Sequence, residues 1–420
     1  MTALLASLGL LAAGGCLALA TARRERLTNG IVLGSLLAAS LAGLSAALAT
    51  IASGRTLSWQ SPWCVPGGSF ALGLDPLSAW FLVPIFVLAP LAGIYGTGYL
   101  RAWRGRKNLG ASWFFFQILV ACMVLVVVAR NALLFLVAWE AMALVSYALV
   151  VFEDERREVR EAGRTYLVAT HLGTGALFVL FLLLGQPAGS LDFADLGPGA
   201  GSLTLLFVLA LIGFGTKAGF VPLHVWLPEA HPASPSHVSA LMSGVMIKTG
   251  IYGLLRVLTF LGPPPAAWGW ALIAIGATSG VLGVLFALAQ HDLKRLLAYH
   301  SVENIGIIAL GLGVGLLGRS YDLPTMAYLG FAGALLHVVN HALFKGLLFL
   351  GAGAVAHAAH TREIDHLGGL LKRMPWTGAT FLVGALAISG LPPLNGFASE
   401  FLIFSAALAG AVARGGAGAA

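Results

Sequence analysis

Long apolar runs separated by short polar loops dominate this 420-residue sequence. A membrane-spanning helix requires about 20 predominantly apolar residues, and twelve runs are of that kind. Only 10% of the residues are charged, which excludes a soluble globular enzyme, a disordered chain or an ordinary nucleic-acid binder. We therefore predict an all-α polytopic membrane protein embedded in a lipid bilayer. Its spans are expected near residues 2–21, 30–53, 75–99, 111–129, 131–152, 165–185, 203–227, 238–260, 266–289, 295–317, 325–356 and 376–411.

The basic residues favour one set of loops. Counted in chain order, the odd-numbered loops contain 16 Lys and Arg residues, with Arg295 at the start of the tenth span included, whereas the even-numbered loops contain three, Arg55, Arg130 and Arg319. Because Lys and Arg accumulate in cytoplasmic loops, we expect the odd-numbered loops to face the cytoplasm and the N-terminus to lie outside. The pattern predicts a multi-pass protein of the inner (cytoplasmic) membrane. It also explains the net charge of +7 without a nucleic-acid partner.

Motifs for cofactors are missing from the sequence. The three cysteines, Cys16, Cys64 and Cys122, lie far apart and lack the spacing of metal ligands. No glycine-rich nucleotide-binding motif and no nucleophile motif occurs. We therefore predict that this chain contains no cofactor, no metal and no redox centre of its own.

A few ionisable side chains fall within the predicted spans. Each costs at least about 2.5–3.5 kcal/mol at the centre of a helix, so each is a candidate functional group. Arg256 lies near a helix end, and we expect it to extend to the membrane interface. The alternatives are a purely structural ion pair for Glu140 and Lys217, and an interfacial position for Glu303. The candidate groups are Glu140, Lys217, Lys248, Glu303, Lys345 and Glu400.

Prolines interrupt two of the predicted spans. Pro222 follows Lys217, and Pro392 and Pro393 precede Glu400. A proline removes a backbone donor and clashes with the preceding turn, so we expect both helices to break there. Paired broken spans are typical of inverted repeats with a polar site at the membrane midplane. We therefore predict two inverted repeats in which the seventh and twelfth helices are broken.

The histidines of the eleventh span lie on one helical face with a lysine. His337, His341 and Lys345 are spaced four residues apart, which aligns them along the helix. A histidine pair at this spacing can bind zinc, but no third ligand is evident and Lys345 would repel a cation. We favour a relay of proton-exchanging groups, because histidine titrates near neutral pH. An isolated histidine such as His171 is expected only to hydrogen-bond a neighbour.

The loop between the seventh and eighth spans is rich in potential metal ligands. A surface metal site is one interpretation of this loop. Its four prolines favour a rigid re-entrant connection instead. The potential ligands are His224, Glu229, His231 and His237.

Several segments resemble the antiporter-like subunits of respiratory complex I and its relatives, over roughly residues 70–405. These segments are KAGFVPLHVWLPEAH at 217–231, KTGIYGLLR at 248–256, HDLKRLLAYHS at 291–301, HALFKGLLF at 341–349 and LGGLLKRMP at 367–375. Two more, SVENIG at 301–306 and LPPLNGF at 391–397, are most similar to the large membrane subunit of hydrogenase-4 and formate hydrogenlyase complexes.

The resemblance implies two inverted five-helix repeats and a proton path at the membrane midplane. In it, the glutamate of the fifth helix pairs with the lysine of the seventh. Relatives usually continue beyond the twelfth helix, so we expect the second repeat to be incomplete. Matched residue by residue, the path consists of Glu140 on the fifth helix, Lys217 on the seventh, Lys248 on the eighth, His337, His341 and Lys345 on the eleventh, and Glu400 on the twelfth.

The predicted parts of the chain are an N-terminal three-helix segment at 1–110, a first antiporter-like repeat at 111–260 and a second at 261–420. The expected function is that of a proton-translocating membrane subunit of a hydrogenase-4-like, formate hydrogenlyase-like or complex I-like oxidoreductase. Its expected partners are other membrane subunits and a peripheral redox module of the nickel–iron hydrogenase or quinone-reductase type. The alternatives are an Mrp-type sodium/proton antiporter subunit and a non-translocating scaffold for a peripheral oxidoreductase.

Overall fold

The computed structural model describes residues 1–65, 67–199 and 201–417. Most of these residues are helical, which confirms the all-helical class. The helices, labelled in chain order, are α1 (Thr2–Ala20), α2 (Glu25–Ser53), α3 (Pro76–Tyr99), α4 (Leu109–Val128), α5 (Ala132–Val150), α6 (Arg157–Gly185), α7 (Leu203–Ala218), α8 (Leu227–Ala233), α9 (Ser236–Leu241), α10 (Lys248–Leu258), α11 (Ala266–Leu288), α12 (Leu293–Ser320), α13 (Pro324–Ala359), α14 (Leu370–Arg373), α15 (Pro375–Ile388) and α16 (Asn395–Ala417).

The helix lengths agree with a membrane-spanning chain. In the described ranges, 11 helices are long and apolar enough to cross a membrane. Two further apolar helices, α7 and α15, are shorter. The predicted seventh span contains α7, and the predicted twelfth span contains α15 and most of α16. The chain is therefore a multi-pass membrane protein.

Both predicted helix breaks are present. The first follows Ala218, where Gly219 has a φ of 91° and the peptide bond before Pro222 is cis. The second lies between α15 and α16, where the peptide bond before Pro393 is cis. A positive φ strongly favours glycine, and proline cannot donate to the preceding turn. The local sequence is therefore sufficient to end each helix.

The helices are grouped into two compact units. The first unit comprises Met1–Lys217 and Glu229–Phe260, and the second comprises Ala218–Pro228 and Leu261–Ala420. The division of the sequence into a three-helix segment and two repeats remains a prediction.

The first unit contains a short antiparallel ribbon between α2 and α3. Its strands are β1 (Leu57–Ser61) and β2 (Phe70–Leu74). Trp59 packs edge-on against Phe70, with ring centres 5.9 Å apart. Strands this short lack the long apolar run by which spans are recognised, so the sequence gives no sign of them.

In the second unit, α11 and α12 approach closely at glycines. A Cβ atom at Gly276 would lie 2.7 Å from the carbonyl oxygen of Gly306. A Cβ atom at Gly283 would lie 2.6 Å from the backbone nitrogen of Glu303. Small residues allow membrane helices to make backbone contacts of this kind. As a result, α11 fixes the backbone position of Glu303.

Candidate functional site

Lys217 is a buried ammonium group among aromatic side chains. It lies in the last turn of α7, and only 2% of its surface is exposed. Its Nζ donates a hydrogen bond of 3.3 Å to the hydroxyl of Tyr166 and lies 5.5 Å from the ring centre of Trp139. The Tyr166 hydroxyl is also 2.5 Å from Oγ of Ser146. A neutral hydroxyl and aromatic ring faces therefore stabilise this lysine in place of water.

Glu140 on α5 has a different partner from the one predicted. Oε2 of Glu140 lies 3.4 Å from Nε2 of His171 on α6. Oε1 is buried without a hydrogen-bond partner among the described residues. The predicted direct ion pair between Glu140 and Lys217 is not formed, and Nζ of Lys217 donates to the hydroxyl of Tyr166 instead. The charge of Glu140 nevertheless acts on Lys217 without a direct contact.

His171 is positioned to exchange a proton with Glu140. Its Nδ1 lies 2.8 Å from the main-chain carbonyl of Leu167. A carbonyl only accepts, so Nδ1 carries the hydrogen in this arrangement. Nε2, which faces Glu140, then gains a proton only when the ring becomes positively charged. The expected bond to a neighbour is confirmed. The contact with Glu140 was missed because α6 alone does not reveal which of its faces meets α5.

Lys248 follows a wide helical turn in the first unit. Met242–Met246 form a π-helical turn between α9 and α10, where the N–H of Ile247 donates to the carbonyl of Met242 at 3.2 Å. Nζ of Lys248 donates a hydrogen bond of 2.5 Å to the main-chain oxygen of Ser243 within that turn. Turns of this type are frequent at functional sites. The sequence predicted a regular helix here, since no proline or other evident signal marks the turn.

In the second unit, His337 on α13 links three helices. Its Nε2 lies 3.1 Å from Oδ1 of Asn304 on α12, and its Nδ1 lies 2.9 Å from Oγ of Ser399 on α16. Asn340 donates to the same Ser399 hydroxyl at 3.0 Å. His341 is fully buried, with its ring centre 6.3 Å from that of His337. His337 of the predicted histidine pair thus bonds to polar residues of other helices, and sequence spacing could not identify these partners.

The second unit also contains Lys345 and Glu400. Lys345 is fully buried, and its Nζ donates a hydrogen bond to the main-chain carbonyl of Leu297 on α12. Glu400 follows the second helix break. A Cβ atom at Gly390 would lie 2.5 Å from Oε2 of Glu400, so glycine leaves the space that this carboxylate occupies.

Glu303 lies near both of these groups. Its Oε2 is 2.5 Å from Nδ1 of His300, and its side chain is 19% exposed. Its charge acts on Lys345 and on Glu400. The second unit therefore contains a carboxylate–histidine pair beside a buried lysine, as the first unit does.

The potential ligands in the loop after α7 are not grouped together in the described part of the chain. Within the described residues, no three His, Cys, Asp or Glu side chains are grouped as metal ligands would be. The ring of His224 stacks on Phe286 at 6.4 Å, and the ring of His237 packs against Phe116 at 5.5 Å. Aromatic packing, and not ligand geometry, determines the positions of these two histidines.

All seven residues of the predicted path lie within residues 129–414. This range matches the family described as NADH:quinone oxidoreductase/Mrp antiporter, transmembrane. The chain belongs to this family. It is 48% identical to hydrogenase-4 component B of Escherichia coli K12 over 338 residues, covering 79% of this chain and 50% of that protein. It is 38% identical to formate hydrogenlyase subunit 3 of the same organism over 339 residues, covering 80% of this chain and 54% of that protein.

The fold of this family member is also similar to a solved structure. That structure is the membrane-bound sulfane sulfur reductase, an archaeal respiratory membrane complex. One of its chains aligns with a TM-score of 0.83 and 28% identity, covering 96% of this chain and 65% of the other. The present chain spans about half the length of the two E. coli relatives.

Outside the range that matches the family, Asp75 forms a charged network with two arginines. Asp75 lies 2.7 Å from Nη1 of Arg256 and 3.3 Å from Nη2 of Arg130, and it accepts a hydrogen bond from the backbone N–H of Ser78. Burial raises the pKa of Asp75, but the hydrogen bond from Arg256 and the two positive charges outweigh it and lower that pKa to about 2. Asp75 binds Arg256 within the first unit, and the expectation that Arg256 extends to the membrane interface remains a prediction.

Proposed function

We propose that this chain is the proton-translocating membrane subunit of a hydrogenase-4-like or formate hydrogenlyase-like complex. The relatives hydrogenase-4 component B and formate hydrogenlyase subunit 3 support this assignment. The observation that carries it is a buried lysine near a carboxylate–histidine pair in each unit: Lys217 near Glu140 and Lys345 near Glu303. Ionisable groups within membrane helices are rare and mark proton relays in pumps and transporters.

Proton release from Lys217 depends on the charge of Glu140. While Glu140 is ionised, its negative charge favours the ammonium form of Lys217. When Glu140 takes up a proton, directly or from the imidazolium of His171, that stabilisation is lost. Lys217 then passes its proton through the hydroxyl of Tyr166 towards Lys248. Ionisation of Glu140 returns Lys217 to its protonated state.

The second unit continues the path through its own buried groups. His337 and His341 accept and release protons, because a neutral imidazole has both a donor and an acceptor nitrogen. Lys345 and Glu400 complete the path. The cycle is driven by a peripheral redox module of the nickel–iron hydrogenase or quinone-reductase type, which acts through other membrane subunits. In this proposal the N-terminus of the chain lies outside the cell membrane.

A subunit of an Mrp-type sodium/proton antiporter is the second candidate, because the matched family includes such antiporters. Sodium sites favour clustered carboxylate and carbonyl oxygens. The predicted path contains three lysines and two histidines, which favour proton transfer. Sodium dependence of ion uptake separates the two candidates.

The test is proton uptake by vesicles that contain the complete complex. We expect Glu140→Gln and Lys217→Ala to abolish proton uptake while electron transfer by the redox module continues. Both changes remove a charge from the switch and leave the redox module intact. Undiminished proton uptake by either variant would refute the proposal.

A matched control is Glu161→Gln, since Glu161 is an exposed carboxylate paired with Arg157 on α6. This variant loses the same charge as Glu140→Gln but should translocate protons normally. Loss of uptake in the control would mean that the assay reports general damage to the membrane subunit.

A further inference from the structure

We propose that Glu303 is a proton carrier between Lys345 and Glu400, and that His300 holds it in position. This inference rests on the proposed proton-translocating function and adds two residues to the predicted path. It assigns a role to a carboxylate that the sequence left between functional and interfacial interpretations.

Contacts with His300 and Gly283 restrain Glu303. The Nδ1 atom of His300 lies one turn earlier on α12 and contacts Oε2 of Glu303 at 2.5 Å. Gly283 of α11 approaches the backbone of Glu303 so closely that a Cβ atom there would lie 2.6 Å from its nitrogen. The backbone of Glu303 is therefore restrained by α11, and its carboxylate is held by His300. A carboxylate that was exposed and mobile at the membrane interface would lack these contacts.

Hydrogen bonds connect α12 to the helix that carries Glu400. Asn304, the residue after Glu303, bonds to Nε2 of His337, and Nδ1 of His337 bonds to the hydroxyl of Ser399. Ser399 directly precedes Glu400. The hydrogen-bonded chain thus joins the immediate neighbours of the two carboxylates. The charges of Glu303 and Glu400 interact.

Lys345 contacts the same part of α12. Its Nζ donates to the carbonyl of Leu297, one turn before His300 on the same helix. A helix rises about 1.5 Å per residue, so Leu297 and His300 differ by only ~4.5 Å along the axis. The lysine therefore reaches α12 close to the level of the His300–Glu303 pair, and its charge interacts with that of Glu303.

The proton moves from Lys345 to Glu400 in two steps. The ammonium of Lys345 gives a proton to the carboxylate of Glu303 through intervening water, which leaves a neutral amine and a neutral carboxyl group. The carboxyl group of Glu303 then gives that proton to the carboxylate of Glu400. Glu303 regains its negative charge, and Lys345 is free to accept the next proton.

The test compares three variants in the complete complex in vesicles, with assembly checked on native gels. We expect Glu303→Gln to lower proton uptake per electron by about tenfold or more, because the amide cannot carry a proton. Glu303→Asp keeps a carboxyl group and should restore most of the uptake. The matched control, Asp365→Asn, alters an exposed carboxylate that lies 2.7 Å from His291 and should have no effect.

Normal uptake by Glu303→Gln would overturn the inference, and so would equal losses in Glu303→Gln and Glu303→Asp, which would indicate a structural role. If Glu303→Gln fails to assemble, His300→Ala tests the same pair and should lower uptake without abolishing it; unchanged uptake would contradict the proposal. Lys217→Ala is measured in parallel. Normal uptake by Lys217→Ala refutes the proposed function itself, whereas a loss there with normal uptake by Glu303→Gln refutes only this inference.

Discussion

Lys217 and Lys345 are held in different ways. Nζ of Lys217 donates to the hydroxyl of Tyr166 at 3.3 Å, whereas Nζ of Lys345 donates to the main-chain carbonyl of Leu297. A hydroxyl both donates and accepts, so it can turn and donate to the lone pair of a neutral Lys217. A carbonyl only accepts, and it binds a charged donor more strongly than a neutral one. The hydroxyl of Tyr166 can thus serve either protonation state of Lys217, whereas the carbonyl of Leu297 can only accept from Lys345.

The aspartates that cap a helix differ between the units as well. Asp75, at the start of α3, pairs with Arg256 and Arg130. Asp292, at the start of α12, pairs with Arg362 at 3.1 Å. The side chain of Arg362 is 31% exposed, against 11% for Arg256. The charge network of the first unit is therefore the more enclosed of the two.

The largest expected effect is the loss of stability on Asp75→Asn. Asparagine retains the helix cap but leaves two arginines without their counter-charge. The pKa of Asp75 is lowered from 3.8 to about 2, which corresponds to about 2 kcal/mol of unfolding free energy. Because the folded-state pKa is the lower one, this contribution is complete above pH 3.8 and is lost as the pH falls through about 2.

Denaturant titration of the detergent-solubilised complex measures this loss. The matched variant Asp292→Asn should cost less than about 1 kcal/mol, because its pair is more exposed. Equal losses in the two variants would remove the difference between the units.

A smaller effect is expected at the lysine partners. Tyr166→Phe removes the hydroxyl that accepts from Lys217. A hydrogen bond to a charged group contributes about 1.5–3 kcal/mol, so we expect proton uptake to fall about tenfold. Phe349→Leu, which changes a ring 5.7 Å from Nζ of Lys345, should have little effect. Stopped-flow proton uptake in vesicles distinguishes the two. Equal sensitivity would show that the hydroxyl is not what sets Lys217 apart.

The smallest effect is expected at His171. Replacement by glutamine removes the group that can protonate beside Glu140. The pair is partly exposed, and such pairs contribute about 0.2–1 kcal/mol, so uptake should fall about two- to fivefold. His291→Gln is the control, since His291 pairs with Asp365 on an exposed surface. A loss as complete as that of Glu140→Gln would instead make His171 an obligatory carrier. The functional difference between the two units would then be smaller.

The spans and the two helix breaks were predictable because their causes are local. An apolar run of sufficient length predicts a span wherever its neighbours lie, and Pro222 and Pro393 end helices by their own covalent structure. The lysines Lys217, Lys248 and Lys345 were also identifiable, because a charge inside an apolar run is visible without any contact.

The partners of these charges could not be predicted, because they depend on which helix faces meet. Tyr166 and His171 lie on α6, more than 20 residues from Glu140, and Asp75 lies far from Arg256 in the chain. Hydrophobicity gives little help here, since nearly every face of a membrane helix is apolar. The pairing of Glu140 with Lys217 was therefore expected from the family resemblance, while the hydroxyl of Tyr166 beside Lys217 was not.

The π-helical turn at Met242–Met246 has a consequence for mutagenesis of the eighth span. One residue more than an α-helical turn requires is inserted there, which rotates everything after it by about 100° relative to an unbroken helix. A helical wheel drawn through the whole span would place Lys248 on the wrong side. Residues before Met242 and residues after Met246 should therefore be placed on separate helical wheels when substitutions in this buried segment are compared.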